Sequence, residues 1–249
     1  TKPEVVACFV DGSIKGWYNY LYNDNAAANA LIQKDNPEMT DEAIAYAIDK
    51  EGLVDGILGG YDKAVPQMLS PAHVGWVAGI EALPFDLAKA KALVAEAGPK
   101  AKQEIGLLTS PVYDQRVVQA IQQMLREAGL NVKIEMTDMA NWLKQMQSGP
   151  DAIPQMAFSR WSCACQDADG VLFPILHSSS SWANANDSAI DSLLVEARQT
   201  LDEKKRLTAY RGVHERVRTE RFIIPLYQVG IVYGAAKGLQ WTPTPNESM

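Results

Sequence analysis

The sequence predicts an α/β fold: a mainly parallel sheet with helices on both faces, preceded by a helical segment. Two observations predict it. From about residue 86 to 160, short apolar runs alternate with amphipathic stretches of roughly 10–15 residues, the texture of βαβ units. The chain also has 249 residues, 47% of them apolar and 21% charged, which is enough material of ordinary globular composition to bury a sizeable core.

The elements follow in order. Val6, Phe9, Val10, Ile14, Trp17 and Leu21 recur at helical spacing, so Glu4 to Tyr22 reads as an amphipathic helix with Pro3 at its start. Ala26 to Ile32 reads as a second helix that stops before Asn36-Pro37. Thr40 is expected to cap a third, running through Ile44, Ala47, Ile48 and Val54 to Gly59-Gly60. Tyr61 to Pro84, broken by glycine and proline, reads as an irregular connector. Asp86 caps a helix over 87–97 with Gly98 behind it, and 104–108 reads as a strand. Helix 112–128, strand 132–136, helix 139–147 and strand 154–159 follow. A loop from Trp161 to Asp169 leads to a helical segment over 171–176. Asp187 and Asp202 then open helices ending near Gln199 and Glu220. Residues 223–227 and 230–233 read as strands, Pro225 placing the first at an edge. Residues 241–249 hold no closing element.

Charge narrows the range of partners. Twenty-three basic against 30 acidic residues give a net charge of −7, so nucleic acid is not an expected partner. No window approaches the ~18 apolar residues of a membrane span. The opening Thr1-Lys2-Pro3 does not read as a secretory signal, which fits a cytoplasmic protein or a mature or trimmed form. Cys8 stands alone, and the two-residue spacing of Cys163 and Cys165 rarely closes a disulfide, so no disulfide framework is expected.

Chemistry-bearing residues are few. His73, His177 and His214 have no serine or carboxylate partner at a motif spacing. Cys163, Cys165, Asp167, Asp169 and His177 cluster in sequence, but a structural zinc site needs a second ligand pair, so the cysteines read as small buried thiols and no metal is expected. The aromatic pattern is more informative. Trp76, Trp161, Trp182 and Trp241 all fall outside the expected helices, and Trp161 is followed closely by Asp167 and Asp169. Tryptophan offers a rigid apolar surface, and a nearby carboxylate holds an amine or hydroxyls. Trp161, Asp167, Asp169, Trp182 and Trp76 are therefore the candidate ligand-binding residues.

Several stretches resemble a known family. The run from Ala43 to Gly60, AIAYAIDKEGLVDGILGG, is similar to a helix of the periplasmic solute-binding proteins of the oligopeptide and dipeptide type, family 5 of the ABC-importer receptors. Pro84 to Gly98, Trp161 to Asp169 with Phe173-Pro174, Asn186 to Arg198, and Ile223 to Tyr227 resemble further motifs of that family, in family order. The resemblance covers the second half of such proteins, which implies one lobe of a periplasmic-binding-protein-like fold. Residues Lys15 to Tyr18 and Asn29 to Glu42 instead resemble the binders of thiamine precursors, nitrate or sulfonate. That implies a chimera divided into a helical segment over 1–42 and a lobe over 43–249.

What the resemblance implies is a non-catalytic, extracytoplasmic binder of peptides or related small solutes. Its partners would be that ligand and a membrane ABC permease, it would carry no cofactor, and its exposed cleft wall would favour self-association. In peptide-binding relatives a carboxylate three residues beyond the matching Trp holds the peptide ammonium. Here that position is Ala164, which leaves a modified peptide, an opine or a sugar as ligand classes. The alternatives are a small α/β hydrolase using Asp167, Asp169 and His177 around a metal, or a folded chimera with no retained binding.

Overall fold

The computed structural model describes residues 38–240 and Thr242. The helices expected over Glu4 to Tyr22 and Ala26 to Ile32, and Trp241, lie outside the described residues. In chain order the elements are α1 (Glu38–Ala47), α2 (Lys50–Gly56), β1 (Lys63–Ala64), α3 (Leu87–Ala97), β2 (Glu104–Thr109), α4 (Gln115–Glu127) and β3 (Asn131–Met136). They continue with α5 (Met139–Met146), β4 (Met156–Ala157), α6 (Asp169–Leu176), α7 (Ser188–Gln199), α8 (Glu203–Glu220) and β5 (Tyr227–Gln228).

Strands β3, β2 and β4 form a parallel sheet in that order, with Ile105 opposite Val132 and Leu107 opposite Met156. Alternate side chains on β2 point to opposite faces, and this sorts the core. Ile105 and Leu107 join Val132, Val117, Val118, Ile121 and Leu125 in one cluster, which also buries Ile44, Ala47 and Ile48 of the α1 region and Ala90 of α3. Leu108 faces the other way, onto Trp142 and Met146 of α5. Gly106 shares that second face, where a Cβ would stand 2.5 Å from the Cβ of Pro154. A further cluster packs α6, α7 and α8 around Leu172, Leu194, Tyr210 and Val213.

Aspartate caps set most helix starts. Asp86, Asp114, Asp138, Asp187 and Asp202 each accept backbone N–H groups of the first turn, which have no partner within the helix. Asp49 does the same, Oδ1 accepting from the Gly52 N–H at 2.8 Å. Its cap divides the single helix expected from Thr40 to Gly59 into α1 and α2, and Thr40 lies inside α1 rather than at its cap.

The expected C-terminal strands are mostly absent. Only Tyr227 and Gln228 pair, antiparallel to Ala64 and Lys63, while Ile231 and Val232 are exposed. Extended chain becomes a strand only when a neighbouring strand pairs with it, and 230–233 pairs with no strand among the described residues, the Gly230 N–H going instead to the Asp62 carboxylate at 2.6 Å. Strand 154–159 likewise shortens to β4, although the Phe158 N–H still reaches the Leu108 carbonyl at 2.8 Å.

Candidate ligand-binding site

The C-terminal edge of a parallel sheet is where α/β folds leave room for a ligand, and the chain's aromatic residues gather there. Tyr113, just past β2, meets Trp142 edge-on at 5.4 Å and Phe158, just past β4, at 5.5 Å. Trp182 packs on the same cluster of Leu108, Trp142 and Met146. It also meets Trp161 edge to face, with ring centroids 5.3 Å apart. Trp161 in turn packs on the α6–α8 cluster. Two groups of aromatic contacts, Trp142–Tyr113–Phe158 and Trp161–Trp182, thus form an aromatic band between the Leu108–Trp142 cluster and the α6–α8 cluster, and edge-to-face pairs of this kind are worth about 0.5–1.5 kcal/mol beyond the area they bury.

The loop that presents Trp161 is held from several sides. The Trp161 indole N–H donates to the Gly170 carbonyl at 3.1 Å. Asp167 accepts both the Asp169 N–H at 2.9 Å and the guanidinium of Arg206, Nη2 to Oδ1 at 2.9 Å and Nη1 to Oδ2 at 3.3 Å. Arg206 also reaches the Tyr210 hydroxyl at 2.9 Å, and its bond to Asp167 holds its pKa above the ordinary arginine value. Asp169 accepts from Arg198 at 2.7 Å; Arg198 lies over the Phe173 ring, and the His177 ring stacks on Phe173 at 4.2 Å. Both loop carboxylates are thus engaged by arginines of α7 and α8.

A second segment closes on this loop. Val74 and Asp167 form a parallel bridge, the Val74 N–H reaching the Gln166 carbonyl and the Ala168 N–H reaching the Val74 carbonyl, each at 2.8 Å. The bridge places the 73–76 turn against the loop, with half-buried Trp76 packed on the α6–α8 cluster. Gly75 permits the approach: its φ is +92°, and a Cβ there would stand 2.7 Å from the Ala168 Cβ and 2.8 Å from Tyr210 Cε2.

The expectation for the cysteines is overturned. Cys163 and Cys165 form a disulfide with a Cα–Cα distance of 5.2 Å, inside the usual range for such bonds. The 163–166 turn, closed by the Gln166 N–H on the Cys163 carbonyl, folds the segment so that residues two apart point to one side. Nor are they the buried thiols expected, since Cys165 is exposed.

The proposed hydrolytic ligands are dispersed. Asp167 and Asp169 are paired with arginines, the cysteine sulfurs are joined, and among the described residues no three His, Cys, Asp or Glu side chains converge on one point. His177 does neighbour serines and an acid, but the Ser179 Oγ and N–H lie 2.8 and 3.1 Å from Nδ1, and Asp191 lies 4.0 Å from that same nitrogen. A nucleophile relay needs the serine on one ring nitrogen and the carboxylate on the other.

The family model described as "Bacterial extracellular solute-binding proteins, family 5 Middle" matches residues 41–183. The chain belongs to this family. Glutathione-binding protein GsiB of Salmonella choleraesuis (strain SC-B67) is 27% identical over 216 residues, 82% of this chain and 42% of that protein. The dipeptide-binding protein of Escherichia coli (strain K12) is 25% identical over 68% of this chain and 33% of its own length. Among solved structures, the periplasmic binding protein DppA from Helicobacter pylori, in complex with the peptide STSA, superposes with a TM-score of 0.70. It is 24% identical and covers 77% of this chain and 38% of that one. The chain thus spans less than half the length of these relatives, and its α/β architecture is that of a family 5 lobe.

Trp161, Trp182 and Trp76 stand out in the sequence, and the structure joins the first two directly. Tyr113, Trp142 and Phe158 do not, although their places just after strand ends or at a helix facing the sheet are a usable signal. Arg206 leaves no such trace and Arg198 appears only as the end of a family motif; they stand 39 and 29 residues from the carboxylates they hold.

Proposed function

We propose that this chain is one lobe of a non-catalytic, extracytoplasmic solute-binding protein that delivers a peptide or related small solute to a membrane ABC permease. The aromatic band at the C-terminal edge of the sheet carries this proposal: Trp161 and Trp182 form a rigid apolar wall braced by both clusters. Family membership supports it, as do relatives named for binding glutathione and dipeptides. Trp161 and Trp182 touch the solute, Trp76 supports the loop from the side, and Asp167 and Asp169 hold the loop in shape through Arg206 and Arg198. The opposite wall belongs to a second lobe. A disulfide fits an oxidising compartment, and no helix among the described residues is long and apolar enough to cross a membrane.

Two finer points belong to the same proposal. The lobe begins near residue 43, behind a segment over 1–42 that resembles another binding-protein family; a family match that starts at residue 41 supports this boundary. Val112 and Met136, 65% and 54% exposed beside the aromatic band, make the wall sticky, so isolated chains self-associate through it.

Native mass spectrometry of freshly purified protein tests the function. With di- and tripeptides added at millimolar concentration, the expected result is a peptide adduct, lost in the W161A/W182A double variant. A stoichiometric transition metal in place of such a solute would move the assignment to the hydrolase.

A further inference from the structure

The Cys163–Cys165 disulfide lies on α6 where that helix begins. Gly170 has no side chain there, and a Cβ would stand 2.5 Å from the Cys163 sulfur and closer still to that of Cys165. The same residue offers its carbonyl to the Trp161 indole N–H. The disulfide and Trp161 therefore share one support: the sulfurs cover the Gly170 Cα while the indole is anchored to its carbonyl. Beyond the sulfurs, Gln166 takes a left-handed φ of +48°, rare for a residue with a side chain, and its carbonyl receives the Val74 N–H. Four consecutive residues, 163–166, thus tie Trp161, α6 and the 73–76 turn together through one covalent closure.

We infer that the Cys163–Cys165 disulfide is a thiol-responsive brace that positions Trp161, so that a dithiol reductant loosens the ligand wall. Cys165 is exposed and Cys163 is packed on the α6–α8 cluster, so attack falls on the Cys165 sulfur. A reductant thiolate bonds to that sulfur, the S–S bond breaks, and Cys163 leaves as a thiolate that takes up a proton. The reductant's second thiol then displaces Cys165 as a thiol. The protein gains two electrons and two protons, and the dithiol becomes its own disulfide. Without the closure the two sulfurs part, and the 163–166 turn loses what holds it over Gly170. Trp161 and Trp182 shift relative to each other while the buried core, which contacts neither sulfur through a covalent link, stays in place.

The functional weight of this brace rests on Trp161 being part of the ligand wall; its mechanical action does not. The test is the indole N–H resonance of Trp161, assigned by loss in W161F, recorded with and without dithiothreitol and alongside a thiol count by alkylation and mass spectrometry. Expected are a shift of that resonance and at least a tenfold loss of its hydrogen-exchange protection on reduction, with the Trp142 indole, 3% exposed in the core, unmoved. The C163S/C165S double variant should match the reduced spectrum and ignore dithiothreitol. G170A, whose methyl group would collide with both sulfurs, should lower the oxidised fraction at a fixed dithiothreitol ratio.

An unmoved Trp161 resonance in protein that has gained two thiols would overturn the inference, as would finding both thiols free in air-purified protein. If reduction moves Trp161 but no peptide or sugar perturbs the loop in either redox state, the brace stands and the ligand wall is wrong. If solutes perturb the loop equally in both states, the wall stands and the brace has no bearing on binding.

Discussion

Asp167 and Arg206, 39 residues apart in sequence, meet through two guanidinium bonds of 2.9 and 3.3 Å. Arg206 projects from the first turn of α8 while Asp167 ends the aromatic loop, so this contact fastens the candidate wall to a helix whose inner face is fully buried at Ala209, Tyr210 and Val213. Asp167→Asn should keep the shape and weaken the charge-assisted bonds. The expected loss is about 1–3 kcal/mol, since both side chains are mostly shielded from water. Urea denaturation measures it, and hydrogen exchange at the Val74 and Ala168 amides should quicken more than at β2.

Gly75 should tolerate no side chain. Gly75→Ala would force a left-handed φ of +92° on alanine and drive its methyl group into Ala168 and the fully buried Tyr210 ring. Backbone strain and overpacking together should cost about 2–4 kcal/mol. The thermal midpoint checks this, with Gly79→Ala as a comparison: it also has a positive φ but meets no atom within 4 Å, so it carries the backbone cost alone.

Stability should fall on acidification through His214. This imidazole is 3% exposed, and burial, with a smaller contribution from the Arg211 charge, lowers its pKa from 6.5 to about 4. Between those values the unfolded chain binds a proton that the folded chain refuses, so unfolding is favoured as pH drops. The full effect, about 3 kcal/mol, is reached near pH 4. His214→Gln should flatten that part of the stability profile, as read from urea midpoints between pH 7 and 4. An unchanged slope would assign the acid sensitivity to other groups.

Self-association should track the exposed apolar residues of the wall. Val112→Asp with Met136→Asp is expected to reduce concentration-dependent mass in light scattering without changing the thermal midpoint, because both side chains are mostly in water. Equal mass in both proteins at all concentrations would place any contact elsewhere.

Most of the fold is legible in local sequence because local physics decides it. Asp86, Asp187 and Asp202 announce helix starts, since a short carboxylate satisfies first-turn N–H groups wherever it occurs. The apolar run in 104–109 and the alternation in 132–136 likewise need only a sheet to join. What stays hidden depends on the tertiary neighbour. Ile231 and Val232 have strand propensity but no partner strand among the described residues, and Asp49 breaks a helical pattern that its apolar flanks would continue. At the site, tryptophans could be named because large rigid aromatic residues on loops are rarely incidental. The disulfide could not, because the turn that brings Cys163 and Cys165 to one side packs on the bare Cα of Gly170 and is pinned by Val74, about 90 residues away in sequence.

The most direct measurement of the ligand wall is backbone and indole chemical-shift mapping of the intact chain against a panel of di- and tripeptides and small sugars. At least one solute should perturb Trp161 to Asp169 together with the Trp182 indole, at about millimolar affinity because one lobe buries only part of a ligand that a closed cleft would cover by ~70–90%. W161A should abolish the perturbation. Saturable shifts confined to residues 1–42, or to the His177–Asp191 surface with the Trp161 and Trp182 indoles unmoved, would contradict the assignment of the aromatic band as the ligand wall.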